Sequence, residues 1–317
     1  MVPYRAIFSV DILTLNRIVG NYDVEEYELR PSLMSGHLGL VSNLLLLFPF
    51  EGVDENGKSE SERILAHIQN RMTASRKAKI FIAWLVCATR NWARLSSQVV
   101  GPGVSGGPAT HLREEDYENS LLDSWKIDRD AKEGEFMVIR RPCFAELSRK
   151  AGEPFKIPSD FPGLSKKLFS LKEELKTKFL NGCFSYQFAL ENWSAYPTVS
   201  VLALVSSIES MMWEEISSQY CEDANRACEL KKDIMKRFRS FFEHTIANPL
   251  PPDLKKFLDN IYSMRSKYVH RALLDGYGIR GAYESEALLN GKLEPISELR
   301  ALERLVNAAL IQWLIKV

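Results

Sequence analysis

From Pro162 onward, apolar residues recur at intervals of three and four. Leu164, Leu168, Leu171, Leu175, Phe179, Cys183, Tyr186 and Leu190 form one unbroken stripe of helical period. Pro162 stands where a first helical turn tolerates proline. Pro197 and Thr198 open a second segment, VSVLALVSSIESMMWEEI, which is apolar nearly all round. Such a helix is expected at the centre of its domain. A third segment places Leu230, Ile234, Phe238 and Phe241 on one face with lysine and arginine elsewhere, and NPLPPD at 248–253 ends it. A fourth runs from Asp253 through Leu254, Phe257, Leu258 and Ile261, with Gly276 and Gly278 as its stop. The last, 296–317, is carried by Leu299, Leu302, Val306, Leu310 and Trp313. Residues 162–317 therefore read as an all-α bundle of about five helices.

The first 150 residues read as a mixed α+β domain. YRAIFSV (4–10) and GEFMVIRR (134–141) have strand character, while SERILAHIQNRM (61–72) and KAKIFIAWLVCATRNWARL (77–95) have helical character. The polar, Pro- and Lys-containing stretch at 145–163 is the expected boundary. No repeat and no low-complexity segment interrupts either half.

Composition narrows the class without naming a function. Of 317 residues, 45% are hydrophobic and 26% charged, the balance of an ordinary globular chain. The 41 basic and 41 acidic side chains cancel, so only a local patch could favour a polyanion. The longest apolar run, LLLLFPF at 44–50, is too short to span a bilayer and contains Pro49. MVPYRAIFSVDIL reaches Asp11 without a basic leader, so no secretory signal is expected. Cys87, Cys143, Cys183, Cys221 and Cys228 form no CxxC pair, and no histidine lies near them at zinc-finger spacing. Reduced thiols, a cytoplasmic location, no membrane and no structural zinc are the expectations.

Three stretches carry candidate chemistry. GPGVSGG at 101–107 contains G-x-G-x-x-G, but Pro102 removes one amide donor and no apolar helix opens after Gly106. It reads as a loop, with a nucleotide site as the minor alternative. ASRKAK at 74–79 reads as a solvated helix start, with RNA contact the lesser alternative. IYSMRSKYVHRALL at 261–274 sets Arg265 and His270 five residues apart in a helical context. Five residues turn a straight helix by about 500°, roughly 140° from the starting direction, so the two do not naturally share a face. RSFFEH repeats the spacing at Arg239 and His244 in an ordinary amphipathic helix, so spacing alone decides nothing. On residues alone, Arg265 is a structural arginine paired with Glu209, since a carboxylate in an apolar helix needs a partner. His270 then is a helix-end histidine facing the C-terminal dipole.

Context separates the two Arg–His copies. Tyr262, Arg265, Val269 and His270 spell Tyr-x-x-Arg-x-x-x-Val-His between a proline break and a glycine stop, and SSIESMM carries Glu209 in the second helix. With these residues the stretch 162–317 resembles the HEPN superfamily, specifically its Apea-like branch. Ser266 stands where relatives often have Asn, Asp or His, and Arg271 where they often have glycine.

The resemblance implies a metal-independent, cofactor-free endoribonuclease acting as a homodimer or higher oligomer, with toxin or antiviral roles common among relatives. It implies His270 for proton transfer and Arg265 for the charge on phosphorus. Glu209, Tyr262 and Ser266 would support them, and Lys267 and Arg271 would touch the RNA backbone. Such chemistry suits a side chain titrating near neutrality and a permanently charged planar fork. The 140° offset is then overcome by a second motif across a twofold axis, or by a helix ending just past Arg265. Trp313 and the fourth and fifth helices are the expected twofold surface. The alternative is a non-catalytic HEPN-derived module that binds RNA or a regulatory protein partner.

Overall fold

LLLLF at 44–48 has no polar residue with which to alternate, so a strand built from it must be covered on both faces. In the computed structural model it lies in strand β4 (Val41–Gly52), between β3 (Tyr27–Ser35) and β1 (Val2–Leu13). Residues 44–48 are all buried. The structure describes residues 2–13, 22–35, 41–54, 56, 59–95, 109–113, 137–139, 155–193, 195–212, 224–271 and 294–317. Contacts divide the chain into Met1–Lys167 and Leu168–Val317.

In the first unit β2 (Tyr22–Val24) extends the sheet beyond β3. Two short strands share the far edge of β1: β5 (Ala93–Leu95) pairs Val10–Ile12, and β6 (Ala109–Arg113) pairs Tyr4–Phe8. All these pairings are antiparallel. β7 (Met137–Ile139) and β8 (Lys156–Pro158) form a separate parallel pair. Tyr4, Ala6 and Phe8 stand opposite Phe50, Phe48 and Leu46, so the even-numbered residues of both strands share a face. Helix α1 (Glu60–Thr89) covers that face: Phe81 stacks on Tyr27 at 4.2 Å, and Tyr27 meets Phe48 at 5.3 Å. On the opposite face Arg5 reaches across β4 to Glu28, whose other oxygen takes Arg30 at 2.7 Å.

Two of the three prolines in this sheet, Pro49 and Pro31, sit where a missing N–H costs little. Pro49 stands opposite Arg5 on β1, and β3 pairs no further along β4 than Leu47. Its carbonyl accepts from Lys77 Nζ at 2.9 Å, so the Pro49 peptide edge is turned away from β1. Pro31 stands where the β3–β4 register shifts.

The helical segments expected at 61–72 and 77–95 are corrected on two counts. They form one continuous helix, α1, with ASRKAK in its interior and not at a start: Ala74 and Ala78 are fully buried. The helix starts instead at a capping box in which Ser59 Oγ and Glu62 exchange hydrogen bonds. It also ends early, because Arg90 adopts φ 56° and Thr89 Oγ1 returns its proton to the Leu85 carbonyl. Ala93–Leu95 then joins the sheet. Pairing with β1 overrides the helical pattern of NWARL.

The single stripe 164–190 is likewise two helices, α2 (Phe161–Ser170) and α3 (Glu173–Glu191). The break falls at Lys172, which is extended at φ −54° and ψ 141°. Phe161 and Ser165 are committed to the first unit: Trp84 stacks on Phe161 at 5.5 Å and donates Nε1–H to Ser165 Oγ at 2.7 Å. α3 packs instead on α4 (Pro197–Met212) in the second unit. A three-and-four spacing carries through such a break unaltered, so the pattern alone could not reveal it.

In the second unit α4 packs against α3, α5 (Ala224–Thr245), α6 (Pro252–Arg271) and α7 (Glu294–Lys316). It is the central helix that its all-round apolarity predicts. Gly182 lets α3 approach: a Cβ there would lie 3.0 Å from the Ser207 carbonyl oxygen and 3.2 Å from Leu310 Cδ2. Trp313, expected at a twofold surface, stacks on Phe179 of its own chain at 5.6 Å. The segments 101–107 and 272–293, with the glycine loop and the Gly276–Gly278 stop, lie outside the described residues. No helix among the described residues is long and apolar enough to cross a membrane. The architecture is an antiparallel sheet with helices, followed by a helical unit.

One buried amide ties α1 to the end of β4. Asn70, 1% exposed, accepts from Val53 N–H at 2.7 Å and donates to the Val53 carbonyl at 2.9 Å. Asn70→Ala leaves both backbone groups without this partner, an expected loss of about 2 kcal/mol. Urea denaturation of the full chain measures it; an unchanged midpoint would show that water replaces the amide.

Candidate functional site

The carboxylate of Glu209 is set on α4 among Ile208, Val205 and Met211, which are all buried. An ionised group there is costly unless charge and hydrogen bonds answer it. Both its oxygens are engaged from α6. Tyr262 donates its hydroxyl to Oε1 at 2.9 Å, and Arg265 Nη2 donates to Oε2 at 2.9 Å. Tyr262 and Arg265 are three residues apart, so one turn of α6 presents both to the same carboxylate. The Arg265 guanidinium also lies over the Tyr262 ring, 5.8 Å from its centroid. Phe238 of α5 supports that ring from 5.1 Å. The arginine side chain is 25% exposed and the glutamate 13%, so the pair sits at a margin, neither sealed nor fully wet.

Tyr262 is held protonated. Burial first, then the negative charge of Glu209 and the hydrogen bond to it, push the hydroxyl well above the ordinary tyrosine range. Arg265 acts in the opposite direction and is outweighed. The hydroxyl is therefore a donor at every physiological pH. Ser266, next on α6, is buried.

α6 continues as helix through Arg271. This removes one expected route to convergence, a helix ending just past Arg265. Arg265 and His270 remain five positions apart on continuous helix, a rotation of about 500°. At 267–271 the backbone alone is described, so the side chains of Lys267, His270 and Arg271 lie outside the described set. The Arg239–His244 copy has a different setting. Arg239 Nε lies 3.4 Å from Asp259 Oδ1, joining α5 to α6, and the His244 carbonyl accepts from Lys316.

A second tyrosine–glutamate contact lies beyond the residues singled out by pattern. Tyr186 of α3 donates to Glu303 of α7, which is 3% exposed, and Asn307 one turn on is buried as well. The sequence held a signal for it. Glu303 interrupts the apolar stripe of α7 between Leu299 and Val306, where an unexplained carboxylate asks for a donor. Cys87 and Cys183 are buried and form no disulfide. Among the described residues no three His, Cys, Asp or Glu side chains gather closely enough to hold a metal ion.

No family model, curated protein or solved structure matches the chain. The Apea-like HEPN resemblance therefore stands on the quoted residues alone.

Glu209→Gln keeps the shape and removes the charge opposite Arg265. At these exposures the expected loss is about 1–2 kcal/mol, less than for a sealed pair. Denaturant unfolding of the full chain measures it, and parent-like unfolding would mean that the ion pair adds nothing to stability. The Tyr262 hydroxyl has a pH signature. Its value is raised in the folded state, so its stabilisation is complete below the ordinary tyrosine value of 10.0 and is lost as pH rises further. The stability gap between parent and Tyr262→Phe should stay constant from neutrality to about pH 10 and narrow above it. A gap that holds in stronger alkali would show that the hydroxyl is not the source.

Proposed function

We propose that residues 162–317 form a HEPN-like endoribonuclease that cleaves RNA without a metal, with Arg265 and His270 as its catalytic groups. The observation that supports this most is the clamp on Arg265. Nη2 alone holds Glu209, and a guanidinium has five N–H donors, so a partly exposed fork of positive charge is kept at a fixed place on α6. A group positioned in advance is what a developing phosphorane charge requires. In the reaction, His270 removes the proton of the RNA 2′-hydroxyl, and the 2′-oxygen forms a bond to the adjacent phosphorus. The bond to the 5′-oxygen breaks, and that oxygen leaves with a proton. The products are a 2′,3′-cyclic phosphate and a 5′-hydroxyl. Arg265 stabilises the extra charge on the phosphoryl oxygens. Lys267 and Arg271 contact neighbouring phosphates. Because α6 stays helical past both residues, the working site combines the Arg265 of one copy with the His270 of another across a twofold axis. RNA is the substrate and the chain acts as a homodimer, in a cytoplasmic toxin or antiviral setting.

The same clamp favours a second reading. Arg265 already has a carboxylate partner, the usual state of a structural arginine, and this reading makes the domain a non-catalytic module for RNA or a regulatory protein.

One experiment separates the two. Purified protein is incubated with mixed RNA in chelator beside Arg265→Ala, His270→Ala and the decoys Arg239→Ala and His244→Ala. Each catalytic variant should lose cleavage by about two or more orders of magnitude. The decoys should cleave normally, since the partly exposed Arg239–Asp259 pair is worth about 1 kcal/mol or less. RNA carrying hydrogen for the 2′-hydroxyl at the cut site should resist. Full activity in His270→Ala, or cleavage of the 2′-deoxy substrate, overturns the mechanism. Absence of cleavage with RNA binding retained establishes the second reading.

A further inference from the structure

α1 is built as two unlike halves. From Phe81 to Thr89 every residue is buried, as a helix packed within its domain should be. The N-terminal half is different. Ile64, Leu65, Ile68 and Met72 are 54%, 60%, 47% and 67% exposed, on a helix whose opposite side, Ala66, Asn70 and Ala74, is buried. Leu65 and Met72 are seven residues apart, two turns, and so lie one above the other with Ile68 between them. Four large apolar side chains along one helical stripe exceed the scattered exposure that needs no explanation.

We infer that this stripe is a self-association surface, on which α1 of one copy packs antiparallel against α1 of a second. The occupant follows from charge. Exposed acids, Glu60 and Glu62, flank the N-terminal end of the stripe, with exposed Arg63 turned roughly 150° away from it around the helix, and exposed bases, Arg76 and Lys79, stand at the other end. Antiparallel pairing about a twofold axis between Ile68 and Gln69 sets Leu65 against the partner's Met72. It also lays the acidic end of each helix along the basic end of the other. Parallel pairing would set like charge against like. A lipid surface would favour basic residues along the whole stripe, and the two glutamates oppose that. The stripe from Ser61 to Lys79 is about 27 Å long and one helix wide, smaller than the roughly 800 Å² per partner of a standard interface. Dissociation in the micromolar range is therefore expected. The inference concerns the first unit and does not rest on the ribonuclease reading.

The test is light scattering of the full chain from roughly 1 to 200 µM, a range that brackets micromolar affinity. The mass should rise with concentration through an α1-dependent step, whether it starts from one chain or from the twofold pair proposed for the helical units. Leu65→Glu/Met72→Glu should abolish that rise while unfolding thermally like the parent, since both side chains are exposed. Glu60→Lys alone and Arg76→Glu alone should each weaken association about fivefold, and the two together should restore it. RNA cleavage is measured in parallel, and neither its presence nor its absence bears on self-association through α1. A parent whose mass does not rise with concentration overturns the inference. So does a rise indifferent to Leu65→Glu/Met72→Glu, or a charge reversal that the double swap fails to rescue. Binding to anionic vesicles in place of self-association overturns it as well.

Discussion

Glu209 imposes the constraint around which the helical unit is arranged. An ionised carboxylate on the most deeply packed helix has a desolvation cost of several kcal/mol, and apolar neighbours cannot offset it. Tyr262 and Arg265 supply the two hydrogen bonds and the opposite charge, and to do so they must present one turn of α6 at one height along α4. Phe238 then packs on the tyrosine ring from α5. Three helices are registered against one another by a single anion. Hydrophobic packing alone tolerates sliding by a fraction of a turn, whereas a two-pronged contact to a largely desolvated carboxylate does not. Tyr186 and Glu303 apply the same device between α3 and α7.

Much of the helical unit was legible because several helices carry their own punctuation. Pro197 and the NPLPPD break mark ends chemically, and the apolarity of 199–212 marks the centre. The break at Lys172 was illegible, because no proline or glycine stands there and the apolar spacing continues through it. Its cause is long-range: Phe161 and Ser165 answer to Trp84, some 80 residues earlier. Long-range pairing likewise hides the end of α1, where NWARL has helical period but its last three residues complete a sheet edge on β1. In the candidate site the need of Glu209 for a partner could be reasoned from the sequence, since a charge in an apolar stripe is a local anomaly. The identical logic applied to Glu303 would have asked for a donor, without naming Tyr186. No local pattern brings Arg265 and His270 together, and the unbroken α6 leaves them five positions apart on one helix.

The two units draw on helices in opposite ways. α4 is buried on nearly all sides and holds the helices around it. α1 is buried along its second half and offers its first half outward. The sequence difference is small, aromatic and branched residues at 80–86 against alternating acids, bases and aliphatics at 60–76. The physical result is a core element in one case and a surface in the other.

Pro49 has a consequence for the chain before and after it folds. LLLLF is the kind of uncharged, strand-forming run that templates cross-β growth when its backbone edge is open. Immediately after it comes a residue that cannot donate, whose carbonyl is already taken by Lys77. A stray strand adding alongside β4 beyond the end of β3 would meet a missing donor, an occupied acceptor and a positive charge in succession. This aggregation-prone run thus carries its own gatekeeper, one residue downstream.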